Sequence, residues 1–163
     1  MTKRRRGAES LRSGTSWANC YTPCFLKAEP MPRKIEFSTP PHTMKPIGPY
    51  SHVAKVGDFI TIGATAAVDP GTGKLSGGDV RSQTLQILDA FETMLTSVGS
   101  ALDHVLHITV FLKDMADFDD MNAAYASRFG SVLPARTAVS VVDLPKTGAL
   151  LTMNLTAVTL GSA

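Results

Sequence analysis

Cysteine is confined to Cys20 and Cys24, so the sequence beyond residue 24 has none. That excludes a thiol nucleophile in the body of the chain and fits a reducing compartment. A lone C-x3-C with no second ligand pair also falls short of a zinc site. Long apolar runs are missing, and none approaches the ~20 residues that a membrane-spanning helix needs. Aromatic residues are few, at 7% with one Trp. Acidic residues are absent from the end of the chain, where nothing after Asp143 is Asp or Glu. Basic charge crowds the front: Lys3, Arg4, Arg5, Arg6, Arg12 and Lys27 face only Glu9 and Glu29, so residues 1–30 are net +4 and the rest net −2. A mildly acidic body with few aromatics is a poor surface for a polyanion. Neither nucleic acid nor membrane is an expected partner.

What is present suits one domain. The 163 residues are 44% hydrophobic and 18% charged, enough for a full core. Residues 1–30 contain Arg-Arg-Arg with Ser and Gly and have no sustained periodicity. They read as a non-folding extension: a basic tail, an organelle transit peptide, or a stretch upstream of the start that Met31 marks. Three arginines are too few for a nuclear signal. The domain is expected at 31–163. A cytoplasmic protein is expected, or a mitochondrial or other organellar one if residues 1–30 are a transit peptide.

Periodicity orders the elements. Short strands are expected at Lys34 to Phe37, His52 to Val56 and Phe59 to Gly63, with Gly57-Asp58 as the turn of a hairpin. The two prolines of Lys45-Pro46-Ile47-Gly48-Pro49-Tyr50-Ser51 fix the backbone and aim Tyr50. Asp79 is a natural N-cap. Leu85, Leu88, Phe91, Leu95 and Val98 then line one helical face, and Gly99 ends it. Val105 to Leu112 alternates as a strand. Asp117 is expected to cap a second helix, with Phe118, Met121, Tyr125 and Phe129 on its face and Gly130 at its end. Val139 to Val142 reads as a buried strand, and Leu150 to Leu160 as a last, long one. This order is α+β: one mixed sheet with two helices on one face. The last strand alternates Leu or Val with Thr or Asn, so the uncovered face is expected to meet other subunits in a homo-oligomer.

Few groups carry chemistry. Leu133-Pro134-Ala135-Arg136 places an arginine on a rigid lead-in to an apolar run. The planar fork of Arg suits a carboxylate, which it grips with two parallel hydrogen bonds. The alternative is an Arg that only reaches for solvent. His104 and His107 flank a strand start and should face opposite ways. The acidic group Asp114, Asp117, Asp119 and Asp120 lacks the glycine and final glutamate of a calcium loop. No metal and no cofactor are expected.

Several segments together resemble one family, the reactive intermediate deaminases, also called the Rid or YjgF family and labelled endoribonuclease L-PSP. They are Ile47-Gly48-Pro49-Tyr50-Ser51, Val56-Gly57-Asp58-Phe59-Ile60, Asp69-Pro70-Gly71-Thr72-Gly73, Gly78-Asp79-Val80 with Gln83-Thr84, Thr109 to Phe118, Met121 to Tyr125, Pro134-Ala135-Arg136 and Leu144-Pro145-Lys146. The resemblance implies a chorismate-mutase-like (YjgF-like) fold and a barrel-like homotrimer with ligand sites between subunits. It also implies hydrolysis of 2-imino or enamino acids to 2-keto acids and ammonia. Arg136 would hold the substrate carboxylate and Tyr50 would pack on the substrate. Asn122 would sit near the site, and the backbone at Ala138 would orient the imine nitrogen.

The chain also departs from that family. Thr137-Ala138 replaces a common Ser-Cys, and Thr61-Ile62-Gly63-Ala64-Thr65 lacks the Ser-Gly-Gln form. Where deaminating members carry a glutamate to position water, the alignment gives Thr152, within one residue of Leu151 and Met153. Threonine can hold a water but cannot take its proton at neutral pH. A slower deaminase is therefore expected, or a base elsewhere, with His52 the nearest titratable group to Tyr50. The alternative is a weakly catalytic or non-catalytic trimer that binds small carboxylates. A ribonuclease or translation inhibitor is less well supported, because the body is acidic and has no histidine pair suited to RNA cleavage.

Overall fold

The computed structural model describes residues 34–161. The expectations for residues 1–30, including Cys20 and Cys24, lie outside the described residues. Six strands form one sheet: β1 (Ile35–Ser38), β2 (Val53–Val56), β3 (Phe59–Ala66), β4 (Val105–Leu112), β5 (Ala135–Ser140) and β6 (Leu151–Val158). Their order across the sheet is β1-β2-β3-β6-β4-β5. All neighbours are antiparallel except β4 and β5. A parallel pair needs a long crossover, and here that crossover carries helix α2 (Phe118–Phe129). Helix α1 (Val80–Ser97) links β3 to β4. The sheet is therefore mixed and the fold α+β, as the sequence indicates.

The core lies between one sheet face and the two helices. Ile60 and Ile62 of β3, Ile108, Val110 and Leu112 of β4, and Leu151, Met153 and Leu155 of β6 are all buried there. From the helices come Ile87, Leu88, Phe91, Met94 and Leu95 of α1, with Met121, Tyr125 and Phe129 of α2. Strand residues of the other parity, Phe59, Thr61, Thr109 and Asn154 among them, turn to the uncovered face and stay exposed or half-buried.

Asp79 caps α1 as its residue type requires, accepting from the Ser82 amide at 2.9 Å and the Ser82 hydroxyl at 2.7 Å. Gly99 follows the helix at φ 77°, a conformation that favours glycine. Gly77, at φ 76°, is held to glycine twice over, because a side chain there would also run into Ser82.

Three expectations need correction. Asp117 does not cap α2: its own backbone is already helical, and a preceding 3-10 turn (Met115–Asp117) is capped by Asp114, which accepts from the Ala116 amide at 2.9 Å. Strand β3 does not stop at Gly63. It runs to Ala66 through a bulge between Ile62 and Thr65. The strand expected at Val139 to Val142 begins at Ala135, and it is an exposed edge, not a buried strand.

Candidate functional site

The bulge in β3 builds the floor of one half of the site. Regular alternation after Ile62 would send Ala64 into the core. One extra residue reverses this, so Thr65 is buried and Ala64 and Ala66 turn to the open face. Ala66 pairs with Thr152 of β6. Tyr50, Ala64, Ala66, Pro145, Lys146 and Thr152 together line a small cavity of about 60 Å³. Leu151 and Met153 are fully buried in the core, so of these three neighbours only Thr152 faces the cavity.

Tyr50 stays 39% exposed, with its ring edge-on to His52 at 5.5 Å. His52 meets the Tyr50 ring but does not line that cavity. It is 1% exposed, and its Nε2 is 2.6 Å from the Met44 carbonyl oxygen. A histidine sealed there is poorly placed to activate a water at Thr152.

The entry to β6 is clamped by a residue that pattern reading passes over. Gln83 of α1 is 1% exposed. Its Nε2 donates to the Gly148 carbonyl at 3.2 Å and its Oε1 accepts from the Leu150 amide at 2.9 Å. Two backbone groups of the 148–150 turn are thus satisfied from the helix, which fixes the register that sets Thr152 outward. The available signal was a polar residue at a helical position that shares the buried face with Val80 and Ile87.

The other half of the site lies on β5 and α2. Arg136 pairs with Ile108, so its side chain leaves the sheet on the helix side. There its guanidinium stacks 4.9 Å from the Tyr125 ring centre and 5.7 Å from that of Phe118, with Nη1 4.0 Å from the Met121 sulfur. Among the described residues no carboxylate pairs with it. Asn122, Tyr125, Leu133, Pro134 and Arg136 line a cleft of about 330 Å³. Two polar atoms in this wall, Asn122 Oδ1 and the Tyr125 hydroxyl, are buried and make no hydrogen bond. Burial pushes the Tyr125 hydroxyl pKa up from 10 to about 12, against the pull of Arg136, so it stays neutral in ordinary buffers.

Backbone geometry adds a third component. The Val141 amide donates to the Leu112 carbonyl at 2.9 Å. A parallel ladder turns alternate residues to the same neighbour, so Thr137, Val139 and Val141 face β4. Arg136, Ala138 and Ser140 therefore present N–H and C=O along the free edge of the sheet. The structure thus brings Tyr50 to Thr152, and Asn122 to Arg136 beside the open backbone of Ala138. Within one chain it does not bring the two groups into one cavity. No group of three or more His, Cys, Asp or Glu side chains placed to hold a metal occurs among the described residues, where no helix is long and apolar enough to cross a membrane.

Comparison with known proteins agrees with this architecture. A RutC family protein of Pyrococcus horikoshii is 47% identical over 102 residues, covering 63% of this chain and 81% of the relative. A RutC family protein of Sinorhizobium fredii is 34% identical over 61% of this chain and 79% of its own. Among solved structures, the YjgF gene product of E. coli superposes with a TM-score of 0.71 at 29% identity, covering 76% of this chain and 98% of that one. E. coli TdcF with bound serine gives 0.71 at 25%, over 77% and 99%. Yersinia pestis YyfA, of the conserved Rid protein family, gives 0.73 at 28%, over 77% and 100%. Residues 41–159 match the family described as endoribonuclease L-PSP, and the chain belongs to that family, the Rid/YjgF group.

Proposed function

We propose that the protein hydrolyses small reactive 2-imino or enamino acids to 2-keto acids and ammonia, in sites completed between the subunits of a homotrimer. The observation that carries this reading is Arg136: a planar cation, stacked on aromatic rings beside open edge amides, with no carboxylate partner among the described residues. That is a receptor for a small carboxylate. The split site and the uncovered sheet face support assembly, since a neighbouring copy laid along the β5 edge would bring a second chain's open face to Arg136.

The chemistry asks little of the protein. A 2-iminium carbon is already electrophilic. Water adds to it to give a carbinolamine, a proton moves from oxygen to nitrogen, and ammonia leaves as the carbonyl forms. Arg136 would fix the carboxylate, the backbone of Ala138 the nitrogen, and Thr152 a water, so that positioning supplies most of the acceleration. A second reading, a carboxylate-binding trimer with little turnover, is favoured by one observation: no Asp or Glu lines the Tyr50–Thr152 cavity. No described feature favours RNA cleavage.

The test is hydrolysis of 2-iminopropionate, generated in situ from alanine by an amino-acid oxidase, by the full-length protein and Arg136→Ala. Two charge-assisted hydrogen bonds are lost in the variant, and kcat/KM should fall about 10²- to 10⁴-fold. If neither protein accelerates keto-acid release while pyruvate still raises the melting temperature through Arg136, the binding reading replaces the enzymatic one. Sedimentation as a monomer would remove the intersubunit site.

A further inference from the structure

A second cavity, of about 320 Å³, adjoins the small one on the open face, under the loop at residues 69–73. Met44, Ile47, Val68 and Lys146 line both. The charged groups lining the pair are both cationic: Lys146, shared, and Lys45 in the larger. The closest carboxylate along the chain, Asp69, is already engaged. Its Oδ1 accepts from the Thr72 amide at 2.7 Å and the Thr72 hydroxyl at 2.8 Å, which lowers its pKa. Lys146 is half-buried and spends one ammonium hydrogen on the Gly73 carbonyl, at 3.2 Å. An ammonium has three donors, and no other bond from it occurs among the described residues. A cation held between apolar walls gains from an anion that can enter beside it.

Position 152 sharpens the point. A glutamate there would bring a negative charge into the cavity that Lys146 lines, which would neutralise the ammonium and repel an acidic ligand. Threonine does neither. We infer that Lys146 is a specificity-determining residue which selects substrates carrying a second acidic group: imino acids with a distal carboxylate, such as the imine of aspartate. Arg136 takes the carboxylate next to the imine and Lys146 takes the distal one. This rests on the intersubunit deaminase site proposed above.

The test measures kcat/KM for the imines of aspartate and of alanine, each formed in situ by an oxidase, with full-length wild type, Lys146→Met, Lys146→Gln, Lys146→Arg and Thr152→Glu. Wild type should prefer the aspartate imine. Lys146→Met should lower the aspartate-to-alanine ratio about 10- to 100-fold, the range set by losing one charged hydrogen bond, and Lys146→Arg should keep most of it. Thr152→Glu should lower the same ratio by repulsion, and Lys146→Gln, which removes the charge but keeps a donor for the Gly73 carbonyl, should lower it as Lys146→Met does, so the inference stays testable if Lys146→Met fails to fold. A ratio that none of these variants moves, or a wild type that prefers the alanine imine, overturns it. If wild type turns over neither imine, the deaminase reading fails and binding decides. A larger melting-temperature rise with oxaloacetate than with pyruvate, lost in Lys146→Met or Lys146→Gln and kept in Lys146→Arg, upholds the Lys146 site, whereas equal rises overturn it.

Discussion

The Thr152 cavity and the Arg136 cleft are built by opposite means. Thr152 is 7% exposed on β6, which pairs with β3 on one side and β4 on the other. The turn before it is clamped by Gln83. Arg136 is an exposed residue on the last strand of the sheet, held by ring stacking and a weak sulfur contact. The first region takes its geometry from the chain's own core. The second has a free backbone edge and takes part of its geometry from α2, so in the proposed trimer it is the half left for a neighbouring subunit. Variants in the two regions should therefore differ in kind, with central ones changing stability or water placement and edge ones changing carboxylate capture.

After Arg136→Ala, Thr152→Glu should have the largest effect. Placing a carboxylate beside the reacting water supplies general-base help, for which the lower end of the usual range is about 10²-fold in rate. We expect that rise in kcat for the alanine imine, measured by keto-acid release. An unchanged kcat would mean that water is positioned away from Thr152. Arg136→Lys comes next. It keeps the charge but loses the planar fork and the stack on Tyr125, and kcat/KM should drop about 10- to 100-fold with the melting temperature nearly constant. A drop in melting temperature of many degrees would show that Arg136 is chiefly structural.

Gln83→Ala should act on stability instead. It removes the partner of the Gly148 carbonyl and of the Leu150 amide, both part-buried, and a part-buried group left without its hydrogen bond costs about 1–3 kcal/mol. We expect about 2 kcal/mol less in urea unfolding. A loss under about 0.5 kcal/mol, the size of a typical surface effect, would mean that the 148–150 turn holds itself.

The comparison also explains what the sequence reveals and what it hides. Asp79, Gly99 and the alternation of β4 and β6 are local signals, and each names its element and its face. Val139 to Val142 reads as a core strand because its residues are β-branched. Yet Val139 is 40% exposed and Val142 fully so. Edge or centre is decided by which strands pair, and local pattern does not carry that. The bulge that turns Ala64 outward is equally silent, since Thr61-Ile62-Gly63-Ala64-Thr65 fits a regular strand as well. Arg136, Tyr50, Asn122, Ala138 and Thr152 come from resemblance more than from periodicity. Lys146 and Gln83 pass unnoticed as site builders because a lysine after Pro145 and a glutamine on a helix both resemble surface residues until the fold half-buries the first and buries the second.

The smallest expected effect lies in the wall behind Arg136. The Tyr125 hydroxyl is buried without a partner, so Tyr125→Phe removes an unsatisfied group and should cost little at neutral pH. Its consequence appears in alkali. The Tyr125 pKa is raised from 10 to about 12 in the folded protein. The unfolded chain therefore gives up that proton first, and the folded form binds it more tightly. The associated stability is complete below pH 10 and is lost as pH rises from about 10 to about 12. Unfolding in urea at pH 9 and at pH 11.5 should show a smaller alkaline loss for Tyr125→Phe than for wild type. Equal losses would place the Tyr125 hydroxyl in contact with solvent, and the aromatic wall behind Arg136 would then be open enough to move when a second chain approaches the β5 edge.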